Sequence, residues 1–268
     1  MMNKMLLAVS FIACASTARA SDPVGTPVRG EIITGWQQAD GSRVSAVRLT
    51  LAPGWKTYWR APGDAGIPPD FSWTGSDNLA GVTVSWPTPK VFDQNGMRSI
   101  GYGTQVILPL SIAPREPGAP VTLKLRMDIG VCSDICVPET LHLDATLETG
   151  SAKIVPAIAA ALAERPLTAR EAGAGPVTCT LSPTQDGLVV TARLTLPHTG
   201  GDEHVVIETG RRDVWVSEAQ TIRSGNVLTA RAEMVPGATV PLAIDRSKMR
   251  FTVLGASHAV DLQGCSPG

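Results

Sequence analysis

The sequence predicts an all-β protein: two antiparallel β-sandwiches joined by a short helix. Three observations carry that reading. Apolar and polar residues alternate over short runs, which is the period of strands with one buried face. Gly, Pro, Asn and Asp punctuate the runs at short intervals, as turns between antiparallel strands require. One stretch alone, Ser151–Arg165, has helical spacing, and a length of 268 residues suits two domains of ordinary size.

Residues 1–20 read as a secretory signal. Lys4 gives the positive end, Met5 to Ala15 the apolar stretch, and Ala18-Arg19-Ala20 a small-x-small cleavage site. Cys14 invites a lipoprotein reading, but Phe11-Ile12-Ala13 before it is a poor lipidation box. No later segment approaches the roughly 20 apolar residues that span a bilayer. The expected product is a soluble exported protein in a bacterial periplasm, where disulfides persist.

The first domain is expected over 22–150, with strands at Val28–Trp36, Val44–Leu51, Val82–Trp86, Thr104–Ile112, Val121–Val131 and Leu141–Leu147. Trp36, Trp55, Trp59, Trp73 and Trp86 fall here and read as packing residues. A helical linker follows over 151–170: Ile154, Ile158 and Leu162 share a face and Pro166 ends it. The second domain, 171–268, has strands expected at Thr178–Leu181, Leu188–Leu196, His204–Glu208, Val214–Ser217, Val227–Met234, Val240–Ile244 and Met249–Val253. It carries no motif with evident chemistry, so a structural or partner-orienting role is its default reading.

Cysteine usage is the most specific signal. Without Cys14 four remain, Cys132, Cys136, Cys179 and Cys265, and four allow three pairings. Cys132 and Cys136 sit at the tip of a predicted hairpin, where Gly130 and Pro138 are expected to stop both ladders. Local geometry favours joining them, which leaves Cys179 with Cys265. The small ring stabilises little through chain entropy, whereas the long closure is worth about 4 kcal/mol. One pair looks chemical and the other structural.

Other classes have little support. Net charge is −1 with pI about 6.4, and no basic run suggests nucleic acid or an anionic membrane. No Ser/His/Asp set, phosphate loop or zinc spacing appears, so neither metal nor cofactor is expected. His142 falls on the solvent side of its strand, and His198, His204 and His258 read as surface residues.

Several stretches, taken in order, resemble the N-terminal periplasmic domain of DsbD-type thiol:disulfide interchange proteins, and more closely the ScsB-like branch. They are Pro53-Gly54-Trp55-Lys56-Thr57-Tyr58-Trp59, Pro68-Pro69, Trp86-Pro87, Tyr102 followed by Leu108-Pro109, and the cysteine pair with Pro138-Glu139-Thr140. The resemblance covers about 28–148 and implies an immunoglobulin-like sandwich that passes electrons between a membrane transporter and thioredoxin-fold proteins of the periplasm. It implies Cys136 as the sulfur that joins partners, Cys132 as the resolving thiol, and a mobile cap loop over Val91–Ser99 with Phe92, helped by Tyr102, as shield. The three-residue gap between the cysteines is shorter than in the best-known members, and Pro89-Lys90-Val91 replaces the acidic residues that precede their shield. With no membrane or thioredoxin segment in this sequence, the electron donor is expected to be a separate protein of DsbD or CcdA type.

The expected activity is therefore that of a thiol-disulfide oxidoreductase. Asp134 and Glu139 are acids close to the pair and no Lys or Arg adjoins them in sequence, so a strongly acidic thiol is not expected. The alternatives are a permanent hairpin disulfide in a non-catalytic binding module, and a Cu(I) site, since two thiolates suit that ion and the ScsB-like branch has copper-tolerance associations.

Overall fold

The structure, a computed structural model, describes residues 25–64, 66–94, 97–151, 153–237 and 243–268. The signal segment with Cys14, and most of the strand expected at Val240–Ile244, lie outside the described residues.

The first half opens with β1 (Val28–Gln37) and β2 (Arg43–Leu51), then the short β3 (Lys56–Tyr58), β4 (Asp70–Ser72) and β5 (Leu79–Val84). β6 (Lys90–Gln94) and β7 (Met97–Gly103) form a hairpin, followed by β8 (Gln105–Pro114), β9 (Val121–Cys132) and β10 (Cys136–Leu147). One sheet runs β1-β2-β8-β5. The other runs β10-β9-β3-β7-β6, with β4 also paired to β9. Because side chains alternate faces along a strand, Leu123, Leu125, Met127 and Val131 of β9 all point inward. There they meet Val47, Leu49, Leu108, Leu110 and the fully buried Trp59. Burying each such side chain stabilises the fold by about 1.5–3 kcal/mol.

Helix α1 (Pro156–Ala163) is shorter than Ser151–Arg165 suggested. Val155 is extended before Pro156, and proline's fixed φ suits the first helical turn. Ile158 packs on Val44 and Ala46, so the helix is fastened to the back of the first sandwich.

The second half contains β11 (Leu167–Thr168), β12 (Val177–Pro183), β13 (Leu188–Thr195), β14 (His204–Glu208) and β15 (Val214–Val216). It continues with β16 (Gln220–Ser224), β17 (Val227–Pro236), β18 (Arg250–Leu254), β19 (Ala259–Gln263) and β20 (Ser266–Pro267). The sheets are β11-β19-β18-β14 and β15-β17-β13-β12-β20, with β16 on β17. They are not purely antiparallel: β11 joins β19 and β20 joins β12 in parallel. Both partners are distant in sequence, which leaves the long connection that parallel pairing needs.

The two halves touch along β3 and β7. Arg60, just after β3, stacks on Trp59 and donates three hydrogen bonds to the Glu208 carboxylate of β14 at 3.0–3.2 Å. Arg98 of β7 bonds Asp93 at 3.0 Å and also pairs with Glu218 of the second half. Leu254 and Ala259 complete the first core.

Candidate functional site

Strands β9 and β10 pair without interruption from Val121↔Leu147 to Cys132↔Cys136. Gly130 and Pro138, expected to end the ladders, instead face each other inside them. β10 is an edge strand, where a proline nitrogen can face away from the ladder at no cost in hydrogen bonds. The ladder therefore carries the cysteines into direct opposition. They are joined as a disulfide with Cα atoms 4.1 Å apart.

The two sulfurs live in different surroundings. Cys132 is 1% exposed, while Cys136 is exposed at the sheet edge. The Tyr58 hydroxyl lies 2.6 Å from Cys132 Sγ and 3.4 Å from Cys136 Sγ. A disulfide sulfur has no hydrogen, so Tyr58 donates. Burial raises the phenol's pKa, which keeps that proton in place at neutral pH. Gly130 lets Tyr58 approach: a Cβ there would stand 2.8 Å from Ile67 Cβ and 3.1 Å from Tyr58 Cε2. Ile67 and Ile135 leave an apolar rim, 45% and 59% exposed, beside the pair.

Lys56 is the residue that sequence reasoning missed. It is the cross-strand partner of Cys132 on one side and of Gly103 on the other. Its Nζ lies 3.0 Å from Ser99 Oγ and 5.2 Å from the centre of the Phe92 ring, and burial lowers its pKa. A cation that is missing next to the cysteines along the chain is therefore rooted opposite Cys132 across the sheet. The available signal was the alternation Lys56-x-Tyr58, which puts both on one face of β3 once that strand is recognised.

The shield residues part company. Phe92 lies on a strand of a β-hairpin rather than in a loop, because Val91 and Phe92 pair with Ile100 and Ser99. Its ring tip is 3.9 Å from the place of a Cβ on Gly103, and the register gives it the same sheet face as Lys56 and Cys132. Tyr102 is the cross-strand partner of Thr57, which places it on the opposite, inward face. It is 6% exposed, packs in the core and donates its hydroxyl to the Pro87 carbonyl at 2.8 Å. Tyr102 therefore supports the hairpin from beneath and does not cover the sulfurs.

Cys179 of β12 is bonded to Cys265, just before β20, with Cα atoms 5.7 Å apart and a separation of 86 positions in sequence. Cys179 is 1% exposed in the second core. His142 is exposed, and no group of three His, Cys, Asp or Glu able to hold a metal occurs among the described residues. No helix among them is long and apolar enough to cross a membrane.

Fold and site together define a β-sandwich domain that presents a disulfide at a hairpin tip, one sulfur buried and the other at the edge. Residues 30–148 match the family described as "Thiol:disulfide interchange protein DsbD, N-terminal", and this segment is a DsbD-type N-terminal domain of immunoglobulin-like fold. A solved structure, the N-terminal periplasmic domain of ScsB from Proteus mirabilis, shares the architecture across both halves. The TM-score is 0.65 and the identity 20%, over 90% of this chain and 93% of that one. No curated protein sequence matches the chain.

Proposed function

We propose that this chain is a periplasmic thiol:disulfide exchange protein that relays electrons between a membrane transporter of DsbD or CcdA type and thioredoxin-fold partners. The observation that carries this reading is the asymmetry of the Cys132–Cys136 pair. Exchange requires one sulfur a partner can reach and a second that departs as a stabilised thiolate. Cys136 at the edge suits the first role. Cys132, buried and receiving the Tyr58 hydroxyl, suits the second.

In the accepting direction a partner thiolate attacks Cys136 Sγ. The S–S bond breaks, a mixed disulfide forms at Cys136, and Cys132 leaves with the electron pair. The partner's second thiolate then attacks its own sulfur in the mixed disulfide. Cys136 departs as thiolate, the partner becomes a disulfide, and two electrons have moved. In the donating direction the steps reverse, with Cys136 as nucleophile and Cys132 resolving. The rim of Ile67 and Ile135 suits the apolar surroundings of a partner's reactive cysteine, and Phe92 is assigned the shielding role.

The test is stopped-flow exchange with a thioredoxin-fold protein, followed by trapping on non-reducing gels. Cys136→Ser abolishes exchange, while Cys132→Ser accumulates the covalent complex. Undiminished exchange by Cys136→Ser overturns the proposal.

A further inference from the structure

We propose that Lys56 is a positioning residue for the Cys132 thiolate, and that its ammonium moves from the Phe92 ring to the sulfur when the disulfide opens. The proposal rests on the exchange reading above and extends it to a residue on a separate strand.

Position is the first argument. Lys56 and Cys132 are cross-strand partners on one face of the sheet. Such partners have Cβ atoms about 4.5–5.5 Å apart, well within the reach of a lysine side chain. In the disulfide form, however, the ammonium is turned the other way. The root of Lys56 is level with Gly103, yet Nζ reaches Ser99, four residues along β7. The side chain therefore lies along β7 past Gly101, ending under Phe92.

Energetics supply the second argument. A disulfide sulfur is neutral and offers a cation little, so a hydroxyl and a π-face are the better partners. Opening the bond leaves a full negative charge on Cys132, which is 1% exposed and poorly solvated. An opposite charge at about 4–6 Å shifts a pKa by about 1–3 units. Acids on the surrounding elements act the other way: Asp134 at the tip, Glu139 on β10, Asp128 on β9 and Asp64 in the loop after β3. On the favourable side stand Tyr58 beside Lys56 on β3, and Lys90 on β6, whose own side chain is exposed. Lys56 is the cation rooted beside the sulfur. No proton is transferred: Cys132 leaves with its electron pair and the ammonium compensates the charge.

The move would also loosen the shield. Lys56 contributes a cation–π contact to Phe92 only while it is turned toward β7. Opening of the disulfide and release of the ring would then be one coupled event.

The test uses the full chain with Cys14→Ser and Cys136→Ser, so that Cys132 is the single thiol. Its pKa is titrated by thiolate ultraviolet absorbance, with Lys56, Lys56→Met and Lys56→Arg compared. Lys56→Met is expected to raise the pKa by about one unit or more, with Lys56→Arg close to the parent. Hydrogen exchange of the β6–β7 amides is read in the two-cysteine protein, oxidised and reduced. The parent hairpin should exchange faster when reduced, and Lys56→Met should lose that redox difference. Equal pKa values in all three proteins overturn the proposal, as does a redox-dependent hairpin that ignores Lys56→Met. Neither readout involves a partner, so the relay and the role of Lys56 fail separately.

Discussion

Replacing Tyr58 with Phe removes one oxygen from the site and nothing else. The hydroxyl is 2.6 Å from Cys132 Sγ, and the phenol remains protonated because burial raises its pKa. In the oxidised protein the acceptor is a neutral disulfide sulfur, so the lost bond should cost under about 1 kcal/mol of stability. In the open form the acceptor is a thiolate, and hydrogen bonds to charged groups contribute about 1.5–3 kcal/mol. At 1.36 kcal/mol per unit, Cys132 should titrate about one to two units higher. Taking for the leaving thiol a sensitivity of the size known for the attacking one, about 0.5, release of Cys132 from the attacked disulfide should slow roughly three- to tenfold. Stopped-flow exchange and thermal melts of both redox states measure these quantities together. An exchange rate equal to wild type refutes the reasoning. So does a stability loss of the same size in both states, because Tyr58 would then be packing rather than stabilising charge.

Three further outcomes are expected. Phe92→Ala should leave the fold intact, since the residue lies on the outer sheet face, yet speed alkylation of the reduced cysteines; equal alkylation rates remove Phe92 as a shield. Cys179→Ser with Cys265→Ser should lower denaturant stability by about 4–5 kcal/mol, against about 2 kcal/mol for removing the short Cys132–Cys136 ring, as loop entropy scales; equal losses contradict the division into staple and redox pair. Glu203 is buried, which by itself raises its pKa, but hydrogen bonds from Arg223 and from Thr199 outweigh burial and hold it below the usual 4.5. A depressed carboxylate contributes stability above its unfolded pKa and loses it as pH falls through the folded value, so Glu203→Gln should lower the melting temperature at pH 7 but match wild type well below pH 4.5.

How far the sequence could be read depended on strand length. β9 and β10 are each 12 residues and alternate over most of their length, so both are legible with the pairing of their end cysteines; the stretch Cys136–Thr140 of β10 is not, because Pro138 reads as a stop. β3 and β4 are three residues each, too short for a period to declare itself among Pro, Gly and Trp. The β6–β7 hairpin reads as a loop because much of Val91–Ser99 is polar and Pro87 and Pro89 precede it. What makes it a sheet is pairing with β3, a tertiary fact. The parallel edges β11 and β20 are two residues long and have no local signal at all.

The site divides along the same line. The sulfurs were legible because they are neighbours in sequence. Their electrostatics were not, because the Tyr58 and Lys56 side chains come from a strand that joins β9 only through the fold. Reading the local chain gave an acidic tip, Asp134 and Glu139, and hence a thiol of ordinary or raised pKa. Once β3 is laid against β9, the Tyr58 O–H donates to the Cys132 sulfur and Lys56 is rooted opposite it, its ammonium turned toward Ser99 and Phe92 while the disulfide is closed. The two sets stand beside different sulfurs: the tip acids flank the exposed edge at Cys136, and β3 lies against the buried Cys132. On the proposed exchange reading such a disulfide opens with a built-in polarity, Cys136 keeping the partner and Cys132 keeping the charge. If Tyr58 and Lys56 supply that polarity, changing both to Phe and Met should erase the difference between the two cysteines as leaving groups. Mixed disulfides trapped from the double variant would then form at either sulfur, whereas trapping at Cys136 alone would mean that exposure by itself decides the direction.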